Sequence, residues 1–305
     1  MRTFCPEGFL SKDNPINKIL LNPVLLEDAI LNKKILEAPV ILCDSEYNLI
    51  VDLGHIKGVI SKEEGAIGIS TGKTKDIALI SRVGKPVQFV IKSLKQDNSG
   101  SYYYELSRKT AQEACLKYIK ENYTIGTVID AKITHLESFG AFCDIGCGNI
   151  ALLPIDSISV SRISHPKDRF FVGQNIKVII KSIEDERITL SHKELLGTWE
   201  ENVNNFKIGQ TVSGIIRSIE DYGIFVELSP NLAGLAEPKA GVAVGQTASV
   251  YIKNIIPEKM KIKLIIIDSF YNETNNSFSY YFKENKLENW QYSPDGCKKS
   301  IVSIF

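Results

Sequence analysis

Gly126-Thr-Val-Ile-Asp-Ala-Lys-Ile-Thr-His-Leu-Glu-Ser-Phe-Gly-Ala-Phe-Cys-Asp-Ile145 returns as Gly209-Gln-Thr-Val-Ser-Gly-Ile-Ile-Arg-Ser-Ile-Glu-Asp-Tyr-Gly-Ile-Phe-Val-Glu-Leu228. In each copy an aromatic-Gly-x-Phe cluster lies between two alternating stretches, and the offset is a constant 83 residues. Solenoid units run to about 20–50 residues, so this period is one small domain. The chain is an array of copies, and function is expected in what each copy displays.

The phase of the alternation assigns faces. Ile129, Ala131 and Ile133 share one side of a strand, and Asp130, Lys132 and Thr134 the other. Val212, Gly214 and Ile216 repeat that phase. After the turn glycine, Ala141, Cys143 and Ile145 oppose Phe142 and Asp144, as Ile224, Val226 and Leu228 oppose Phe225 and Glu227. Later strands, 176–181 and 187–190, are matched by 248–253 and 261–264. Short strands separated by Gly, Pro and Asp predict a mainly β chain of small antiparallel barrels of about five strands. A weaker first copy aligns Tyr47-Asn-Leu-Ile-Val-Asp-Leu-Gly54 with Phe139 to Gly146, keeps Leu49, Val51 and Leu53 on the core phase, and has Ile50 where the outward Phe stands.

The expected organisation is an N-terminal extension, 1–30; a degenerate first barrel, 31–110; a helical connector, 111–122; a second barrel, 123–193; a helical connector, 194–206; a third barrel, 207–267; and a C-terminal appendage, 268–305. Phe270, Tyr271, Phe278, Tyr280, Trp290 and Tyr292 make that tail too aromatic for a disordered segment.

Thirty-six basic residues balance 36 acidic ones, which excludes a uniformly basic nucleic-acid protein, and any polyanion must be held locally. A hydrophobic fraction of 44% suffices for real cores. The start, Met1 to Gly8, has no long apolar core, and no stretch approaches the roughly 18 apolar residues of a membrane span, so a cytoplasmic protein with no membrane partner is expected. The six cysteines include no C-x-x-C pair and read as buried or isolated thiols.

Phe142 and Phe225 stand on the polar phase, where burial with Ala141 or Ile224 would break the period-two pleat. Phe139 and Tyr222, just before the turn, bring a second ring to each. Exposed ring pairs are stacking platforms for nucleobases, worth about 1–3 kcal/mol per base. Each copy adds outward cations: Lys132, Lys177, Lys181 and Arg187 in one, Arg217, Lys253, Lys261 and Lys263 in the other. Such a groove can track phosphates in a neutral chain because screening limits each charge to about 8 Å. Glu184, Asp185, Glu186 and Glu258 dilute it, and a mixed-charge barrel face is the plain alternative.

These residues resemble the RNA-binding repeat of bacterial ribosomal protein S1, a five-stranded oligonucleotide-binding (OB-fold) barrel, over about residues 35–267. The resemblance rests on Gly126-x-x-x-x-Ala, Phe139-Gly-Ala-Phe-Cys-Asp, Ile163-Ser-His-Pro-Lys, Val172-Gly-Gln-Asn-Ile-Lys-Val and Arg187-Ile-Thr-Leu-Ser-His-Lys. The whole chain looks like the S1-like proteins of clostridial bacteria. The resemblance implies three tandem OB-fold barrels, RNA contacts at Phe139, Phe142, Arg187, Tyr222, Phe225 and Lys261, and mRNA binding in translation with the small ribosomal subunit, the first barrel docking protein rather than RNA. The chain departs from the family where a third-strand His is usual: Pro154 and Glu237 stand there.

Enzyme signatures fail. Ser70-Thr-Gly-Lys-Thr74 lacks the first glycine of a phosphate loop, Ile67 standing in its place, and His55, His135, His165 and His192 join no nucleophile pattern. His165, before Pro166, is expected to be structural. No cofactor, metal or small-molecule substrate is expected, and the flanking segments are too short for a catalytic domain. The expected function is non-catalytic single-stranded RNA binding; the alternatives are a protein-interaction scaffold and a ribosome-independent RNA regulator.

Overall fold

A computed structural model describes residues 4–10, 16–184, 187–272 and 278–305. Asp185 and Glu186, and parts of the expected terminal extension and appendage, including Met1, lie outside the described residues. Residues 1–123, 130–132 and 143–150 make one compact unit, and residues 124–129, 133–142 and 151–305 a second.

Three closed five-stranded barrels form. Two short helices, α1 (Ile16–Leu20) and α2 (Pro23–Leu31), precede the first. Asn22 starts α2 by accepting the N–H groups of Val24 and Leu25, with Pro23 at the first helical position. The first barrel comprises β1 (Leu36–Cys43), β2 (Leu49–Asp52), β3 (Lys57–Ile60), β4 (Pro86–Gln96) and β5 (Tyr102–Ser107). Leu49, Val51, Leu53, Ile60, Val87, Phe89 and Leu106 are its buried core, as the alternation requires. The Ser70–Thr74 segment lies in turns, where Thr74 N–H bonds Gly68 O at 3.0 Å.

Ser107 caps helix α3 (Arg108–Asn122), its hydroxyl accepting Thr110 N–H at 2.9 Å, and the helix contains residues 111–122. The second barrel has β6 (Val128–Glu137), β7 (Gly140–Asp144), β8 (Ile150–Pro154), β9 (Asn175–Glu184) and β10 (Arg187–Ser191). The second connector is shorter in its helices than its spacing predicts. Gly197, at φ +85°, separates a 3-10 turn, Lys193–Leu196, from α4 (Trp199–Val203). Thr198 and Glu201 close a capping box at the start of α4, at 3.2 and 2.7 Å.

The third barrel has β11 (Thr211–Glu220), β12 (Gly223–Ser229), β13 (Leu232–Ala236), β14 (Thr247–Ile256) and β15 (Lys261–Phe270). All three barrels share one cyclic strand order, first-second-third-fifth-fourth. The expected antiparallel pairing holds except at one seam: β3 with β5, β8 with β10 and β13 with β15 are parallel. The chain leaves the third strand through a turn or short helical crossover and returns beside it, so closure forces one parallel pair.

The tail is packed. A hairpin of β16 (Asn289–Gln291) and β17 (Val302–Ile304) carries Trp290, which with Tyr292 and Leu287 is buried against the third-barrel core of Ile216, Val226, Val250, Ile252 and Leu264. Val128 N–H bonds Asn285 O and Leu287 N–H bonds Gly126 O, so residues 285–287 extend the edge of β6. Among the described residues no helix is long and apolar enough to cross a membrane.

Candidate nucleic-acid interface

The turn glycine is required by close approach. A Cβ on Gly140 would stand 2.6 Å from Leu153 O, and one on Gly223 2.6 Å from Ala236 O. Each glycine lets the second strand press against the third, so the residues on either side of it project from a fixed backbone.

Both copies then show the same ring arrangement. Phe139 is 54% exposed and Phe142 half-buried; their centroids lie 6.0 Å apart with planes at 89°. Tyr222 is 67% exposed and Phe225 half-buried, at 6.2 Å and 88°. Edge-to-face packing is the favoured aromatic geometry and fixes the pair without sandwiching the rings, so stacking faces remain. A third ring joins in the second barrel: His135 lies 6.2 Å from Phe142 at 31°, its Nε2 held by Glu137 at 2.6 Å. Sequence reasoning missed it. The repeat carries no signal for it, because Ser218 stands 83 residues on, and the neighbourhood emerges only in the structure, where Ser218 is the cross-strand partner of Phe225.

Around the third-barrel pair the register builds a row. Phe225 pairs with Leu235, and Leu235 with Lys263. Lys261 opens β15 two residues earlier on the same exposed face, and Arg187 holds the equivalent place on β10. No ion pair to Arg187, Lys261 or Lys263 occurs among the described residues. Lys177 is exposed, its backbone N–H bonded to the Tyr280 hydroxyl, and Lys181 is exposed with Nζ 3.1 Å from Ser157 Oγ.

Three cations expected in this set have other partners. Lys132 is half-buried and donates to Glu7 O at 2.9 Å. Lys253 pairs with Glu237 at 3.0 Å, so the carboxylate standing where the S1 resemblance places a His holds a neighbouring cation. Arg217 occupies a bulge: Ile216 pairs with Val226 and Ser218 with Phe225, leaving Arg217 without a cross-strand partner and re-aimed. Its guanidinium binds Glu227, Nε at 2.9 Å from Oε2 and a terminal nitrogen at 3.2 Å from Oε1. Thr134, 83 residues earlier, bonds Phe142 O at 3.0 Å.

The acidic residues two positions after Phe142 and Phe225 are buried, against the outward exposure their phase predicts. Asp144 accepts the N–H groups of Glu7, Gly146 and Gly148 at 2.7, 2.8 and 3.0 Å. Burial, reinforced by the Glu7 charge, pushes its pKa up to about 7. Glu7 shifts the other way: burial opposes its charge, but the Arg108 guanidinium at 2.7 Å holds it below the usual carboxylate range. Glu227 is the corresponding residue in the third barrel, 5% exposed beneath Arg169. In the first barrel Asp52 stays exposed. There Tyr47, at φ +65°, has Lys62 Nζ 5.7 Å from its ring centroid, and no second ring joins it among the described residues.

The remaining histidines of note are structural. His165 caps the 3-10 turn Pro166–Asp168, its Nδ1 accepting Lys167 N–H at 3.1 Å, as expected. His192 is buried among Phe170, Phe278 and Tyr280. All six cysteines are free, and Cys115, Cys143 and Cys147 are buried.

Residues 122–193, the second barrel with part of α3, match the family model of the S1 RNA binding domain. Over 184 residues, 58% of this chain, the sequence is 32% identical to the small ribosomal subunit protein bS1 of Staphylococcus aureus, and equally to that of Staphylococcus epidermidis. The match covers 44% of those relatives, so the chain spans about half the length of the proteins it resembles. A solved Streptococcus pneumoniae structure described as a multidomain protein with nucleic acid binding domains is 14% identical, covering 80% of this chain and 76% of that one at a TM-score of 0.26.

Proposed function

We propose that this chain, an S1-type protein related to the bS1 proteins, binds single-stranded RNA without turning it over. Bases stack on Phe139 and Phe142 and on Tyr222 and Phe225. Phosphates are met by Arg187, Lys261 and Lys263, which have no ion pair among the described residues, with Lys177, Lys181, Lys132, Lys253 and Arg217 beside them; Glu7 O, Glu237 and Glu227 already hold the last three. The observation that carries this reading is the duplicated exposed ring pair, at 6.0 and 6.2 Å and near 90° in both barrels. A core-packing role needs no such match on two outward faces. Sequence preference is weak, because stacking is indifferent to base identity.

The likeness to bS1 supports mRNA as the natural ligand and the small ribosomal subunit as the place of action in the cytoplasm. The first barrel fits protein docking better than RNA, since Lys62 occupies the approach to Tyr47 and Ile50 replaces the outward Phe. Co-sedimentation with isolated small subunits separates ribosome-bound action from ribosome-free regulation.

The decisive measurement is titration of labelled single-stranded RNA at two salt concentrations. Wild type binds at low salt, and Phe142→Ala with Phe225→Ala weakens binding at least about tenfold, since each stacked base is worth about 1–3 kcal/mol. No binding at low salt, or full affinity in the double variant, returns the protein to the scaffold reading.

A further inference from the structure

We propose that Glu227 is a positioning residue that locks the second and third barrels into one bipartite RNA surface. The inference rests on the RNA-binding reading above. Glu227 and Phe225 are two residues apart on β12 and so share its outward face. In an isolated third barrel that face would leave the carboxylate in water. Here the segment of the second barrel between β8 and β9 covers it, and Arg169 from that segment makes a two-pronged bond, at 2.7 Å to Oε1 and 2.5 Å to Oε2. Arg169 is 2% exposed.

The joint is built from both sides. Arg169 also reaches Ser159 Oγ at 3.3 Å and Pro230 O at 3.4 Å. Arg217 binds the same Glu227 carboxylate and meets Asp168 at 3.6 Å, so two guanidinium groups face two carboxylates and the charge closes. Asn231, 1% exposed, is a second pin: its Oδ1 accepts Val160 N–H at 2.9 Å while its Nδ2 donates to Lys193 O and Gly197 O at 2.8 and 2.9 Å. Planar two-pronged arginine–carboxylate pairs fix orientation as well as distance. Such a pair carries weak warrant as a source of stability, and a role in setting geometry suits it better.

The functional consequence follows from effective concentration. Both ring pairs belong to the same compact unit. A strand held on Phe139 and Phe142 presents its next nucleotides to a platform at fixed orientation rather than to a freely rotating one, and the second engagement becomes intramolecular. Glu227 therefore acts through the rings and contacts no RNA.

The test compares full-length wild type with the Arg169→Gln, Glu227→Gln double variant, which removes one charge of each sign and leaves Arg217 to Asp168. Affinities are measured for uridine oligomers of about 8 and about 30 nucleotides, spanning one and several OB-fold sites. The expected result is unchanged 8-mer affinity with a 30-mer to 8-mer affinity ratio at least about tenfold below wild type. Statistical register effects are common to both proteins and cancel in that comparison. A loss that merely reflects damaged folding weakens both oligomers alike. If the double variant lacks the native circular dichroism, Arg169→Lys decides, since it keeps the charge and loses only the two-pronged geometry. A folded variant whose ratio equals that of wild type overturns the positioning role and leaves RNA binding standing. Wild type that binds neither oligomer overturns the RNA reading itself.

Discussion

His192 sits at zero exposure with the rings of Phe170, Phe278 and Tyr280 at 5.3, 5.0 and 5.7 Å. Its Nδ1 lies 3.0 Å from Ile158 O, and burial drives its pKa down to about 4. The folded protein therefore refuses a proton that the unfolded chain accepts near pH 6.5. The stability this neutral ring represents is fully present above about pH 6.5 and is lost as pH falls toward 4, a drop of about 3 kcal/mol. Asp144 has the opposite sign. With its folded pKa raised, its ionised form is the penalised one, so its region gains stability as pH falls from about 7 toward the ordinary carboxylate range. Denaturant midpoints of residues 151–305, read by hydrogen exchange between pH 7.5 and 4.5, should fall in wild type and fall less steeply in His192→Gln. Parallel curves in the two proteins would remove the histidine from the acid response.

At the scale of the strand, the outward placement of the rings was legible and their neighbourhood was not. Period two put Phe142 and Phe225 outside, and the 83-residue offset showed that the placement is systematic; the structure has both rings half-exposed in matching pairs. The same phase put Asp144 and Glu227 outside, but a sequence pattern reports which way a side chain leaves its own strand and not what another segment lays over it. Glu7 and Arg169 come from far along the chain, and nothing local to β7 or β12 announces them. The pairing of Arg217 with Glu227 was not legible for a local reason, since one extra residue in β11 changes the pleat and no residue type marks it. The parallel seam that closes each barrel is likewise a property of the crossover and not of either strand. Glu237, just past the end of β13, supplies the prediction at this scale. Its carboxylate holds Lys253, both side chains being largely exposed at 70% and 53%. Exposed pairs are weak, so Glu237→Gln should leave thermal stability within about 0.5 kcal/mol. It releases Lys253 for phosphate and removes a repulsive charge beside the row ending at Lys263. RNA affinity at low salt should rise about three- to tenfold, with a steeper salt dependence. Unchanged affinity in a titration of this variant would place β14 outside the RNA track.

For the whole molecule, a net charge of zero removes long-range attraction to polyanions and leaves a short-range mosaic whose sign is set residue by residue. The mosaic has a measurable size. Five cations, Lys177, Lys181, Arg187, Lys261 and Lys263, are exposed and are the proposed phosphate contacts. Counterion release from a single strand contributes a log-log salt slope of about −0.7 per neutralised phosphate, so full engagement gives about −3.5. Stacking releases no counterions, and the two contributions are therefore separable in one experiment. Phe142→Ala with Phe225→Ala should lower the binding constant at every salt concentration while keeping the wild-type slope. Lys261→Ala with Lys263→Ala should flatten the slope by about 1.4 and converge on wild type at high salt. A slope near zero in wild type would mean that the neutral chain holds RNA by its rings alone; a slope far steeper than about −3.5 would recruit Lys132, Lys253 or Arg217 away from the carbonyl and carboxylates that hold them.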